Sequence, residues 1–394
     1  MLPYGRQTID EADIAAVVEV LRSPLLTCGP AVGRFEAQIA AQVGALDAVA
    51  CASGTAALHL IYAALDLAPG DEIITTPITF SATAAAAYYC GATVRFADVD
   101  PRTGNIDPAS IAPLVTPRTR AIVPVHLAGL PCDLDEIHAI AARANVPVIE
   151  DACHALGASY RGTRTGGDPR TLATVFSFHP VKHVTTGEGG AIAVRDAELA
   201  RRLRRLRQHG VERDPARMER APDGPWAYEV AELGWNYRLS DLACALGSSQ
   251  LAKLGAFVAK RRELAACYRQ ELARAFAGVP AAALAAPLDY TDRDSAYHLF
   301  AIAADWPAFG TTRARVAAEL AAAGIGTQVH YIPLTEQPLH RRRCPGEIDR
   351  ARPGAARYYA RTLSLPLFPA MTADDVRFVV AQLHRALGAP GASK

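Results

Sequence analysis

Val175-Phe176-Ser177-Phe178-His179-Pro180-Val181-Lys182, running on through Thr185-Thr186-Gly187-Glu188-Gly189-Gly190, is the stretch that decides the fold. A strand over 175–178 delivers Ser177 at its tip, a tight turn with Pro180 brings Lys182 back toward the same edge, and a glycine-rich loop leads into a second strand over 191–194. A lysine held in such a turn and flanked by apolar residues can be desolvated enough to lower its pKa and act as an amine nucleophile. Read by itself, Lys182 serves equally well as an ordinary surface lysine.

Outward from this stretch, short apolar runs alternate with helical patterns. Candidate strands lie at 48–51, 72–75, 94–97, 121–125 and 146–149, and an amphipathic helix is predicted over 133–144. The alternation predicts an α/β fold with a large, mostly parallel sheet covered by helices. In such sheets ligands gather outside the carboxyl ends of the strands. Ser53-Gly54-Thr55, Thr79-Phe80, Asp151 and Ser177 to Lys182 all fall just after strands. An Arg-dense helix at 196–209 reads as a solvated face rather than a binding patch, and a long helical pattern covers 239–273. After about residue 255 strand-like 296–303, helix-like 312–323, a strand near 327–331 and a last helix at 373–387 predict a smaller α+β unit. The expected division is therefore a large domain over 1–254 and a small C-terminal domain over 255–394, ending in a frayed tail at 388–394.

Bulk properties narrow the class. The chain has 394 residues, half of them apolar, and Lys plus Arg exceeds Asp plus Glu by 41 − 40 = 1. No net field recruits nucleic acid or an anionic membrane. No stretch approaches the roughly 18 uncharged apolar residues of a membrane span. The opening Met1-Leu2-Pro3-Tyr4-Gly5-Arg6 lacks an apolar run and predicts no secretory leader. The eight cysteines form no C-x-x-C pair, so reduced thiols, no metal and a cytoplasmic setting are expected. Neither G-x-G-x-x-G nor G-x-x-x-x-G-K-[ST] occurs, which leaves a dinucleotide fold or a P-loop unsupported.

Three further motifs carry chemistry. Ser53-Gly54-Thr55 opens a helix over 56–65, where free backbone N–H groups and a Thr hydroxyl make a phosphate seat; a plain N-cap explains it as well. Val148-Ile149-Glu150-Asp151-Ala152 ends an apolar strand in two carboxylates pointing to opposite faces. One of them suits a protonated pyridine nitrogen, and a helix cap or ion pair is the alternative. Asn236-Tyr237-Arg238 reads as a helix-entry loop, and Arg238 as an ion-pair or anion-binding residue.

Together S-F-H-P-V-K at 177–182, T-T-G-E-G-G at 185–190, V-I-E-D-A at 148–152 and N-Y-R at 236–238 resemble the DegT/DnrJ/EryC1/StrS family. These are pyridoxal-phosphate (PLP) dependent sugar aminotransferases with the aspartate-aminotransferase fold, PLP fold type I. The resemblance runs from Tyr4-Gly5-Arg6-Gln7 to Leu365-Pro366-Leu367-Phe368-Pro369. It implies that Lys182 forms the Schiff base with the cofactor and Asp151 holds its pyridine nitrogen. By the same resemblance His154 is expected by the phenolic oxygen, Phe80 on the ring face, and Gly54, Thr55 and Ser177 at the phosphate. Asn236 reaches the phosphate in the neighbouring subunit, which implies a homodimer with shared active sites. His330-Tyr331-Ile332-Pro333 resembles the family's substrate wall, faced by Tyr4 and by Leu25-Leu26-Thr27. His340-Arg341-Arg342-Arg343 is read as an exposed loop rather than a pyrophosphate site.

Within the family, Y-G-R-Q-T-I-D-E at 4–11, L-T-C-G-P at 26–30, D-G-P-W at 223–226 and N-Y-R-L-S-D-L-A-C-A-L-G at 236–247 resemble a particular branch. That branch aminates a UDP-linked 4-keto-6-deoxy-N-acetyl sugar on the way to pseudaminic acid, with L-glutamate as donor and 2-oxoglutarate released. Cys28 departs from a glutamine frequent in the branch, and Leu339-His340 from an aromatic pair. The alternatives are a dTDP- or GDP-linked, 3- or 4-keto substrate, and a non-catalytic sugar-binding relative. The dehydratase relatives carry histidine where Lys182 stands.

Overall fold

The computed structural model describes residues 1–347 and 350–388, so the tail expected to fray lies outside the described residues beyond Gly388. Seven strands build the central sheet: β1 (Asp47–Cys51), β2 (Glu72–Thr75), β3 (Thr93–Phe96), β4 (Thr119–Ile122), β5 (Ile149–Asp151), β6 (Ala173–Ser177) and β7 (Gly190–Val194). Their spatial order is β3-β2-β4-β5-β6-β7-β1, with β4 and β5 joined through the parallel bridges Ile122–Val148 and Val125–Asp151. β2 runs parallel to β3 and β4, and β5 to β6; β7 runs against both β6 and β1. The mostly parallel sheet is thus present.

Burial on both faces explains why these runs are apolar throughout. Val49 and Cys51 of β1 face a core with Leu58 and Ile61 of helix Gly54–Ala64. Ala48 and Ala50, pointing the other way, pack with Phe35 and Ile39 of helix Pro30–Val43.

The structure corrects four expectations. The strand at 146–149 instead pairs over Ile149–Asp151, because Pro147 has no N–H to give a ladder and serves only as acceptor from Ile122. Both carboxylates therefore lie within β5 rather than after it. The single helical pattern at 239–273 divides at Lys253 into Asp241–Ala252 and Leu254–Ala275, bent by 56°. Lys253 Nζ there meets Asp10 at 2.5 Å and Asp13 at 2.9 Å. No strand forms at 327–331, where one bridge, Gln328–Ser364, is made. Finally, the Arg-dense helix, Ala197–Leu206, is a ladder of ion pairs rather than a solvated face. Arg204 contacts Glu36 and Asp47 at 2.8 and 2.6 Å, and Arg202 contacts Glu232 at 3.1 Å.

The C-terminal part has its own core. Strands Leu284–Ala285, Phe300–Ala304 and Thr362–Leu365 pair antiparallel under helices Leu254–Ala275, Arg313–Ala322 and Ala373–Ala386. Phe300 is fully buried and stacks on Tyr268 with centroids 4.6 Å apart. Phe300→Ala is expected to cost about 3–5 kcal/mol, read as a fall in denaturant midpoint; a loss near zero would mean that this core is not needed for stability. Among the described residues, no single helix is long and apolar enough to cross a membrane, and no cluster of three or more His, Cys, Asp or Glu is placed to hold a metal.

Candidate active site

The carboxyl ends of β1, β2, β5 and β6 open into a cavity of about 880 Å³. This lies in the usual range for small-molecule sites. At the end of β1 the Ser53 hydroxyl accepts from Ala56 N and caps helix Gly54–Ala64, leaving the first-turn amides of Gly54 and Thr55 unused by that cap. A Cβ on Gly54 would stand 3.1 Å from Ser177 Cβ and 3.3 Å from Cys153 Sγ, so glycine is what lets the ends of β1 and β6 meet. Gly54, Thr55 and Ser177 thereby share one corner of the cavity.

The turn after β6 is closed by backbone bonds from Lys182 N to His179 O at 2.9 Å and from Thr186 N to Phe178 O at 3.0 Å. Lys182 is half-buried and faces the cavity. Loss of water lowers its ammonium pKa from the ordinary value, an effect that the nearby Cys153 and Asp151 oppose. At the end of β5 Asp151 is buried; its Oδ2 accepts from the Thr83 hydroxyl at 2.7 Å and its Oδ1 from Cys153 N at 3.2 Å. Glu150 turns to the opposite face, accepting from His126 Nε2 at 2.8 Å and from the Thr171 hydroxyl at 2.5 Å. Alternation along a strand separates the two carboxylates.

His154 is buried, with Nε2 3.2 Å from the Tyr331 hydroxyl and Nδ1 without a partner among the described residues. Burial and the Lys182 charge hold its pKa well below the ordinary range, so the ring is neutral. His330, bonded through Nδ1 to Ser364 Oγ at 2.8 Å, is pushed down to about 3 by burial and then by Lys182. Its ring lies 5.5 Å from that of Tyr4, and Phe80 lies 6.2 Å from Tyr331.

Of the residues singled out by sequence, Tyr4, Gly54, Thr55, Phe80, Asp151, His154, Ser177, Lys182, His330, Tyr331 and Ile332 line this one cavity. Pro333 precedes the turn Leu334–Glu336 and is not among the lining residues. Leu25, Leu26 and Thr27 lie in an exposed turn outside this chain's cavity, tied down by Asp241 N to Leu26 O at 3.0 Å. Asn236 is exposed, bridged to Gln208. The expected exposed loop at 340–343 is corrected: Pro338–Arg343 is a short helix and His340 is buried within it. His340 Nδ1 meets the Tyr88 hydroxyl at 2.9 Å and its ring lines the cavity, whereas Arg341, Arg342 and Arg343 are exposed. Sequence reading also missed Thr83, whose one signal was its spacing of one helical turn from Thr79.

The groups present fit PLP. An amine stands with a buried carboxylate in one cavity, an orphaned imidazole nitrogen lies beside them, and a glycine-opened helix start makes a seat for an anion. Fold and site together define a PLP-dependent aminotransferase of the aspartate-aminotransferase type. The pattern of the DegT/DnrJ/EryC1/StrS aminotransferase family matches residues 7–384, and the chain belongs to that family. It is a sugar aminotransferase, and PLP is its cofactor.

Its sequence is 42% identical over 382 residues to the spore coat polysaccharide biosynthesis protein SpsC of Bacillus subtilis, covering 96% of this chain and 95% of that one. It is 39% identical over 390 residues to a UDP-4-amino-4-deoxy-L-arabinose–oxoglutarate aminotransferase of Shewanella sediminis, covering 98% of each. The structure matches that of Helicobacter pylori PseC, an aminotransferase involved in the biosynthesis of pseudaminic acid, with a TM-score of 0.88, 30% identity and coverage of 98% and 99%.

Proposed function

We propose that this chain moves an amino group from L-glutamate to C4 of a UDP-linked 4-keto-6-deoxy-N-acetyl-hexose, forming UDP-4-amino-4,6-dideoxy-N-acetyl-β-L-altrosamine in the cytoplasm. The observation that carries the reading is the wall of Tyr4, His330, Tyr331 and Ile332 standing in one cavity with Lys182 and Asp151. The similarity to PseC and the oxoglutarate named for the Shewanella relative support sugar and donor.

Bound PLP supplies an electron sink for the electrons freed at the donor's α-carbon. Lys182 holds the cofactor, and Asp151 keeps its pyridine nitrogen protonated. Lys182 Nζ takes the proton from the donor's α-carbon and, in the second half of the cycle, delivers one to C4 of the sugar. A lowered pKa favours the free amine that the first of these needs. Gly54, Thr55 and Ser177 would hold the phosphate, and Phe80 would cover the ring face. The neutral ring of His154 would hydrogen-bond the phenolic oxygen without adding a competing charge.

The test is a coupled assay with the 4-keto product of a sugar-nucleotide 4,6-dehydratase, followed by NMR of the aminated sugar. A new amine at C4 of the UDP-N-acetyl sugar is the expected result. A higher kcat/KM with a dTDP-4-keto-6-deoxy sugar lacking the N-acetyl group would overturn the branch, and amination at C3 would overturn the position. Removing the nucleotide should lower kcat as well as affinity, because contacts remote from the reacting carbon supply the positioning. The second reading, another nucleotide-linked keto sugar, is favoured by Leu339 and His340, which line the cavity where the branch carries aromatic rings.

The exposed Asn236 and the exposed turn of Leu25, Leu26 and Thr27 are read as parts of the partner's site in a homodimer. Mixing Lys182→Ala and Asn236→Ala chains, each inactive, is expected to recover about a quarter of wild-type activity, since half the dimers are mixed and each has one whole site. No recovery after verified subunit exchange would count against a shared site.

A further inference from the structure

Two threonines without a part in the reading above stand behind Asp151. Thr83, only 1% exposed, lies in the first turn of helix Ala82–Tyr89 with its hydroxyl 2.7 Å from Asp151 Oδ2. The Thr79 hydroxyl is 2.8 Å from that of Thr83, and the Phe80 carbonyl is 3.3 Å from it. Each hydroxyl has one proton to give. The Thr83 proton goes to the carboxylate, because charge-assisted bonds are shorter and about twice as strong as neutral ones. Thr79 then donates to Thr83 Oγ1, and the chain Thr79 to Thr83 to Asp151 has one direction. The backbone of Thr83 is also held, with the buried Tyr62 hydroxyl donating to its carbonyl at 3.2 Å. From the other side Cys153 N holds Asp151 Oδ1 at 3.2 Å. Rotation of the carboxylate would break one bond or the other.

We propose that Thr83, backed by Thr79, is a positioning residue that holds Asp151 in the rotamer turning the carboxylate's remaining lone pairs into the cavity. It rests on the reading of Asp151 as partner of the cofactor's pyridine nitrogen. Thr83→Val keeps the shape of the side chain and removes the donor; Thr83→Ser keeps the donor.

The test uses the PLP-loaded full chain and reads PLP Kd, the visible absorption spectrum, kcat and KM for Thr83→Val, Thr83→Ser, Asp151→Asn and Thr83→Val with Asp151→Asn. Thr83→Val is expected to lower kcat about tenfold or more with KM for the keto sugar nearly unchanged, to alter the long-wavelength band and to weaken PLP binding, the size expected from a lost charge-assisted bond. Thr83→Ser should restore all three. In the Asp151→Asn background the same substitution should change kcat by less than about twofold, since residues acting through one group are not additive. A wild-type spectrum and kcat in Thr83→Val would overturn the proposal. So would equal effects in both backgrounds, or a Thr83→Ser no better than Thr83→Val with both thermal midpoints lowered. Near-normal turnover in Asp151→Asn alone would instead overturn the reading of Asp151, and the proposal with it.

Discussion

Lys182→Ala is expected to abolish turnover, by about ten-thousandfold or more, while leaving the fold intact. The loss is large because the proposed function gives one side chain two tasks, holding the cofactor and carrying the proton at the reacting carbon. The fold survives because the structural contact of this residue is its backbone bond to His179 O, which alanine keeps. The side chain lies half-buried at the cavity rather than in a core, so truncation leaves no sealed void, and the removed charge was one that burial disfavoured. Circular dichroism and the thermal midpoint should therefore match those of the cofactor-free wild type. Borohydride reduction of the loaded wild-type protein should leave a pyridoxyl group on the peptide containing Lys182. A label on another peptide would refute the assignment.

Asp151→Asn should still bind PLP yet lose about a hundredfold to a thousandfold in kcat, the size seen when one preorganised electrostatic partner is removed. The amide matches the carboxylate in shape, and its oxygen can still accept from Thr83 or from Cys153 N, so the local packing has little reason to change. What is lost, on the proposed role of Asp151, is the negative charge that would keep a pyridine nitrogen protonated, and with it the pull on the donor's electrons. Single-turnover kinetics with L-glutamate read this half-reaction alone. Turnover near the wild-type rate would exclude the electron-sink role.

Much of this architecture was legible from local pattern. The sheet could be read because its strands, buried on both faces, are short apolar runs between amphipathic helices, and burial of this kind leaves its mark residue by residue. Lys182 could be placed near Ser177 because a turn with Pro180 closes within a few residues. Gly54 could be placed at a helix start by the change from strand to helix at Ser53. The strand at Ile149–Asp151 was misjudged by a few residues because Pro147 reads as apolar while lacking a ladder donor. The ends of elements depend on partners that a local window does not contain.

Taken alone, the sequence determined the alternation of strand and helix, the turn that presents Lys182, the opposite faces of Glu150 and Asp151, and the resemblance that named the family. The first three rest on spacing along the chain, where a few residues set the backbone; the family rests on the likeness of its motifs. Only the tertiary structure decided what those groups meet. Thr83 reaches Asp151 across 68 residues of sequence, His340 turns inward to Tyr88 across 252, and Arg204 finds Glu36 across 168. It also decided that Lys182 loses water, since desolvation is a property of everything packed around an amine. Pairings at such separation follow from which helices cover which face of the sheet, a choice made by the packing of the whole chain.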